Sequence, residues 1–170
     1  MIIKSLVKYF LIILCFFSCS VEAQIKNQEY KIMLDSLYEH NVPLLSVEEL
    51  KKLNKQSIYL LDTREEEEFN VSHIKNARNA GYFWFDMRKM YDIPLNAKII
   101  LYCSVGYRSE KIAHKLLDAG YKNVFNLHGG IFEWINQGNP VYNNNGVQTS
   151  EIHTYSKDWA PWVNRGTKVN

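Results

Sequence analysis

Cysteine and proline are scarce in this 170-residue chain, and neither sign of charge dominates. Three cysteines are too few for the disulfide framework that stabilises many small secreted domains. Eight glycines and four prolines exclude a collagen-like or low-complexity chain. The net charge of +2 gives no electrostatic reason to expect nucleic acid as a partner, because that class needs clustered lysines and arginines. The hydrophobic content of 46% instead predicts one compact domain with a substantial core.

The first 23 residues have the composition of a secretory signal. Lys4 and Lys8 form a short positive region, and an unbroken apolar run follows from Tyr9 to Phe17. A helix of that length rises only about 14 Å, which is too short to cross a bilayer. Charge followed by a short apolar run therefore predicts export to the periplasm, rather than a membrane span or a buried N-terminal helix.

Two processing sites remain open. Cleavage after Ala23 removes residues 1–23 and leaves a soluble periplasmic protein. Alternatively, the stretch from Phe16 to Cys19 resembles a bacterial lipobox, so that residues 1–18 form a lipoprotein signal and Cys19 becomes lipidated. Contact with the membrane is expected only through that lipid. Either route leaves Cys103 as the one thiol of the mature domain that is free to react.

Short apolar strands alternate with helices across residues 46–142. The clearest strand runs from Lys98 to Tyr102, and residues 109–119 have the apolar periodicity of a helix that Gly120 ends. Strands separated by helices at this spacing predict an α/β domain with a parallel sheet and helices on both faces. Shorter strands are predicted at residues 58–61, 77–80 and 124–127, and further helices at about 31–39, 84–90 and 131–136.

Helix starts and domain limits follow from local signals. Ser46 with Glu49, and Thr63 with Glu66, have the spacing of capping boxes and predict that helices begin there. Residues 24–45 are mixed and polar, which predicts a leader that contains the first helix. The polar run 143–146 predicts a boundary before a C-terminal tail, residues 143–170, which is expected to pack on the domain through Trp159 and Trp162.

Cys103 lies between the best strand and a well-formed helix. In open parallel sheets this junction is where ligands bind, and the first helical turn leaves several N–H groups without partners. Gly106 allows the loop to bring those groups together, and Arg108 adds a positive charge. Such surroundings favour the thiolate, which is the form that acts as a nucleophile. The simpler alternative is a small buried apolar residue, which a lone cysteine often is.

The loop from Cys103 to Ser109 resembles the active-site loop of the rhodanese family. Three further motifs in the same order resemble the family's other signatures, so the likeness extends over roughly residues 46–142. They are Leu61-Asp62-Thr63-Arg64-Glu65 with Phe69, His73-Ile74-Lys75-Asn76-Ala77-Arg78-Asn79-Ala80, and Asn126-Leu127-His128-Gly129-Gly130-Ile131-Phe132-Glu133-Trp134. In the second motif, Lys75-Asn76 replaces the usual Pro-Gly.

The resemblance implies a rhodanese-like fold with a parallel five-stranded sheet, and a persulfide on the catalytic Cys103. Rhodanese-like phosphatases have one more residue between the cysteine and the arginine, so the shorter loop here favours sulfur over phosphate. Thiosulfate-specific members often carry basic residues after the cysteine, whereas this chain has Ser104 and Val105. The predicted substrate-binding residues are Ser104, Val105, Gly106, Tyr107, Arg108 and Ser109, with Asp62, Arg64 and His73 in supporting roles.

Other polar and aromatic residues have simpler interpretations. The run Glu65 to Glu68 is typical of a solvated helix start. Asp62 and Arg64 are expected to form a structural salt bridge. The aromatic stretch Tyr82 to Phe85 is expected in the core, with the mouth of the site as the alternative. The histidines show no metal-ligand spacing, so neither a metal nor a cofactor is predicted.

These observations predict a sulfurtransferase that moves a sulfane sulfur from a small donor such as thiosulfate, through Cys103, to a thiol or cyanide acceptor. The acceptor is either a small molecule or a partner protein. Two alternatives stay open: a non-catalytic sulfur-carrier or binding module, and a redox sensor whose thiolate is oxidised to sulfenic acid.

Overall fold

A computed structural model describes residue 25 and residues 27–170. The expected signal segment and both cysteines within it, Cys15 and Cys19, lie outside the described residues. Over the described part of the chain, no helix is both long enough and apolar enough to cross a bilayer.

A five-stranded parallel sheet lies at the centre of the fold, as predicted. The strand order is β1-β5-β4-β2-β3, and β4 pairs with β5 on one side and β2 on the other. Because Asp62 of β2 is in register with Tyr102 of β4, the loops that follow these strands emerge at the same edge. The strands are β1 Leu44–Leu45, β2 Ile58–Asp62, β3 Arg78–Asn79, β4 Lys98–Tyr102 and β5 Asn123–Leu127.

Helices cover both faces of this sheet because successive side chains of its strands point to opposite sides. Ile100 and Tyr102 of β4 belong to one hydrophobic cluster, whereas Ile99 and Leu101 belong to the other. The first cluster packs under helices α1 Gln28–Leu37, α2 Val47–Lys52 and α5 Gly130–Asn136, and the second under α4 Tyr107–Asp118. The remaining α-helix of the described residues, α3 Glu66–Val71, follows β2.

One predicted helix start is correct and another is wrong. Ser46 and Glu49 form the expected capping box at the start of α2. Thr63 does not begin α3, because its hydroxyl is buried and donates to the carbonyl of Tyr102 instead. The N-cap of α3 is Glu65, two residues later.

The helix predicted over residues 84–90 is also shorter than expected. Only Met87–Met90 are helical, in a 3-10 turn in which the Asp86 side chain accepts the N–H of Arg88. Trp84 lies before this turn and is 86% exposed, so it has no packing partner that could extend the helix.

Both ends of the described chain pack on the same face of the sheet. Tyr30 and Leu34 of α1 are fully buried in the first cluster, so the segment predicted as a leader belongs to the folded unit. In the tail, Ile152 and Val163 are buried in that cluster, and Trp162 stacks on Tyr30 with ring centroids 5.5 Å apart. Residues before 46 and after 142 therefore contribute to the same hydrophobic cluster as the domain between them. The short strands of this end are β6 Val141–Tyr142, β7 Gln148–Thr149, β8 Glu151–His153 and β9 Thr167–Val169.

Ile152→Ala is expected to lower the free energy of unfolding by about 2 to 5 kcal/mol, since it leaves a cavity in the core. The matched control is Val147→Ala in the same tail, because Val147 is 59% exposed and its truncation should change stability by about 0.5 kcal/mol or less. Urea unfolding followed by tryptophan fluorescence measures both. Equal and small effects would show that the tail adds nothing to the stability of the core.

Candidate active site

Cys103 follows β4 directly, and its side chain is 1% exposed. It lies at the base of a pocket of about 270 Å³. One side of the pocket is the loop itself, through Ser104, Val105, Tyr107 and Arg108. The cysteine thus lies at the predicted junction of strand and helix, and it lines this pocket.

The carbonyl groups of the loop from Cys103 to Gly106 are all hydrogen-bonded to the surrounding framework of the domain. Four consecutive carbonyls, from Cys103 to Gly106, each accept a hydrogen bond from α5, from Tyr38 of the N-terminal segment, or from polar side chains of α4 and β5. Their donors are Ile131 N for Cys103 (2.9 Å), Phe132 N for Ser104 (3.1 Å), Tyr38 Oη for Val105 (2.5 Å), and for Gly106 the side chains Asn126 Nδ2 (2.9 Å) and Ser109 Oγ (3.1 Å) together with Glu110 N (3.1 Å).

The sulfur of Cys103 lies beside an N–H group of the same loop. The N–H of Gly106 donates to Sγ of Cys103 over 3.1 Å. A donor at this distance stabilises negative charge on the sulfur, and the twelve-residue helix α4 begins at the next residue. A hydrogen-bond donor and the start of a helix therefore both lie next to the sulfur.

Two glycines permit this arrangement. Gly106 has φ +103°, and a Cβ there would collide with the ring of Tyr38. Gly130, at the start of α5, has φ +58°, and a Cβ there would lie 2.8 Å from the backbone carbon of Ser104. The helix that donates to the loop can approach it so closely only without a side chain at this position.

The positive charge that Arg108 was expected to add is not free in the pocket. Its guanidinium makes two hydrogen bonds of 2.7 Å to the carboxylate of Glu68 and a third, of 3.1 Å, to Ser104 Oγ. Glu68 is itself only 3% exposed, so the prediction that the run Glu65 to Glu68 is solvated is wrong for this residue. Burial opposes ionisation of Glu68, but the hydrogen bonds and charge of Arg108 outweigh it and lower the pKa of the carboxyl below its usual value.

The predicted supporting residues lie behind the site rather than in it. Asp62 and Arg64 form a fully buried salt bridge of 2.6 Å, as expected, and Arg64 also donates to the carbonyl of Ser72. His73 stacks on Phe69, with ring centroids 3.9 Å apart, and does not line the cysteine pocket. Ser109 is fully buried under the loop, so its role is to hold Gly106 in place and not to contact substrate.

A family model for the rhodanese-like domain matches residues 46–137, more than half of the chain. The chain belongs to the rhodanese-like family. A tRNA uridine(34) hydroxylase from aster yellows witches'-broom phytoplasma is 28% identical over 127 residues, which are 69% of this chain and 40% of that protein. The chain therefore spans about two fifths of that relative's length.

Solved structures agree on the fold. A rhodanese-related protein from Thermoplasma volcanium is 28% identical, with a TM-score of 0.51, and the match covers 58% of this chain and 96% of that one. A thiosulfate sulfurtransferase from Pseudomonas aeruginosa has a TM-score of 0.58 at 20% identity, covering 79% of this chain and 26% of that one. At that identity the second likeness concerns the fold alone.

The rhodanese-like domain also has an aromatic wall around the mouth of its pocket. We use this name for Tyr82, Phe83, Tyr107, Tyr155 and Trp159. Phe83 is 66% exposed, so the expectation that this stretch packs in the core is wrong for it, and the alternative of a pocket mouth is correct. The carboxylate of Glu65 fixes this part of the wall by accepting the N–H groups of Tyr82 and Phe83 at 3.2 and 3.1 Å.

Tyr107 of the wall begins α4, whereas Tyr155 and Trp159 come from the tail, beyond the residues that the family model matches. The ring of Tyr155 lies over the guanidinium of Arg108, 5.0 Å from ring centroid to Cζ. The sequence suggested packing for the tail but gave no indication that it reaches the active site. Among the described residues, no group of three or more histidines, cysteines or carboxylates is arranged to hold a metal ion.

Proposed function

We propose that this rhodanese-like domain is a sulfurtransferase whose intermediate is a persulfide on Cys103. The observation that supports it best is the hydrogen bond from Gly106 N–H to Sγ, in a loop whose carbonyls are all bonded elsewhere. In the first half-reaction the Cys103 thiolate attacks the sulfane sulfur of a donor such as thiosulfate, and the rest of the donor leaves with the bonding electron pair. In the second, a thiol or cyanide acceptor removes that sulfur.

The persulfide must be resolved by an outside acceptor. Cys103 is the only cysteine within the described part of the chain, and it forms no disulfide there. A dithiol enzyme resolves such an intermediate with a second cysteine, which closes a disulfide. In this protein the persulfide is held in a buried loop. The N–H group of Gly106 solvates the sulfur there in place of water.

Ping-pong kinetics are the expected result, because the sulfur rests on the enzyme between two half-reactions. Initial rates measured against donor at several fixed acceptor concentrations should give parallel double-reciprocal lines. The persulfide formed without acceptor should be slow to decay and should disappear quickly when thiol or cyanide is added. Intersecting lines, or decay at one rate with or without acceptor, would contradict a resting persulfide and favour the redox-sensor alternative.

Nucleic acid is not part of this proposal, although curated relatives of the chain are named as tRNA hydroxylases. The chain carries a net charge of only +2, and Arg108, the positive residue that lines the pocket, is paired with Glu68. Neutralising several phosphates needs several free cations, so neither feature favours tRNA as the substrate.

We also propose that the protein is exported and works in the periplasm, with lipid on Cys19 as its route to the membrane. Labelling cells with a fatty-acid analogue is expected to mark the wild type and not Cys19→Ala. Cys15→Ala is the matched control and should keep the label, since Cys15 lies in the apolar run that processing removes. A mature protein that begins at Gln24 and carries no label would contradict the lipid anchor on Cys19 but would still agree with export.

A further inference from the structure

We infer that the natural sulfur donor is an organic persulfide with an apolar body, of the form R–S–SH, rather than a small inorganic dianion such as thiosulfate. This inference rests on the proposed function and specifies the substrate class of the same site. It depends on the absence of an unpaired positive charge in the pocket and on the aromatic residues that line it.

A small dianion finds no uncommitted cation in this pocket. Among the described residues that line it, Arg108 alone carries a positive charge, and both of its terminal nitrogens already donate to Glu68. The carboxylate of Glu68 cancels that charge, and the ring of Tyr155 covers one face of the guanidinium. A dianion that entered would lose water without gaining an opposite charge, which is unfavourable in a partly enclosed site.

The wall suits an apolar group instead. The five rings of the aromatic wall surround a volume of about 270 Å³, which is more than a single sulfur atom requires. Tyr155 reaches its place over Arg108 with a φ of +66°, a left-handed conformation that costs a non-glycine residue free energy. Strain of this kind is retained where the surrounding structure fixes the residue. The position of the Tyr155 ring over Arg108 is therefore expected to contribute to function.

The reaction of such a donor is balanced without any further reagent. The Cys103 thiolate attacks the outer sulfur of R–S–SH, a bond forms between Sγ and that sulfur, and the S–S bond of the donor breaks. The bonding pair leaves on the thiolate R–S⁻, and the proton stays on the transferred sulfur. The apolar group R remains outside the Cys103 loop, where the aromatic wall lies.

A series of alkanethiosulfonates, R–SO2–S⁻, tests the preference for an apolar R. Each of these stable donors gives its outer sulfur to the Cys103 thiolate and releases a sulfinate, R–SO2⁻, so the members of the series differ only in R. Each added methylene that the wall buries should raise kcat/KM about fourfold, so propanethiosulfonate should exceed methanethiosulfonate by about fifteenfold. Thiosulfate, which has no R group and carries two negative charges, should be the poorest donor of the set.

Two neighbouring exposed aromatic residues provide the control. Phe83→Ala removes part of the wall and should lower the propane-to-methane ratio about fourfold or more, whereas Trp84→Ala should preserve it, since Trp84 does not line the pocket. A ratio near one in the wild type, a ratio that both variants change equally, or thiosulfate as the best donor would overturn the inference alone. If no donor leaves sulfur on Cys103, the proposed function fails as well.

Discussion

Cys103→Ser is expected to abolish sulfur uptake and to lower turnover by at least about a thousandfold, because it removes the sulfur atom on which the proposed persulfide forms. Serine is close to cysteine in size, so the packing around this buried position should survive. Mass spectrometry after treatment with a sulfane donor should show one added sulfur atom on the wild type, located in the peptide that contains Cys103, and none on the variant.

The full chain supplies its own control for this experiment. Cys15 and Cys19 are also thiols, and replacing both with serine should leave sulfur uptake unchanged. Cyanide should remove the added sulfur from the control variant and from the wild type alike. The variant should melt at the wild-type temperature, which would show that it is folded. Sulfur uptake that persists in Cys103→Ser would then locate the chemistry elsewhere and refute the mechanism.

Glu68→Ala is expected to lower the free energy of unfolding by about 3 to 5 kcal/mol, since it leaves the Arg108 guanidinium buried without its partner. Both residues are nearly inaccessible to solvent, and two 2.7 Å hydrogen bonds join them. The adjacent Glu67→Ala is the matched control. Glu67 is exposed in the same helix, so its loss should cost about 0.5 kcal/mol or less in a denaturation experiment.

A double variant separates pairing from general damage. Glu68→Ala combined with Arg108→Met should recover much of the lost stability, because replacing a buried pair by apolar groups often changes stability little. If the double variant is as unstable as the single variant Glu68→Ala, this account is wrong.

The wild type should also lose stability in acid. The pKa of Glu68 is lower in the folded protein than its unfolded value of about 4.3, so its contribution is complete above that pH and disappears as pH falls through the folded pKa.

The catalytic half of the site could be predicted from sequence because its signals are local. An apolar strand, a cysteine, a glycine with the freedom for positive φ and a helix start occupy one continuous segment, and the sheet follows from the alternation of strands and helices. The buried pair Asp62 and Arg64 could also be anticipated, since charges at the end of a buried strand need partners.

The remainder depends on contacts between distant residues. Nothing local distinguishes Glu68 from Glu66 and Glu67, and only the approach of Arg108, forty positions away, gives it a buried partner. Likewise, a polar tail gives no local indication that Tyr155 will lie over that arginine. Thr63 had a suitable capping spacing, but the neighbouring strand offered its hydroxyl a better acceptor.

The order of the sheet has a consequence for how the chain acquires its shape during synthesis. The fifth strand inserts between the first and the fourth, so the sheet stays open until residue 127 is available, although Cys103 has already been made. The helix that donates to the loop comes later still, and Tyr155 last of all. An incomplete chain therefore carries its thiol without protection, and a truncated product should be more prone to oxidation than the finished protein.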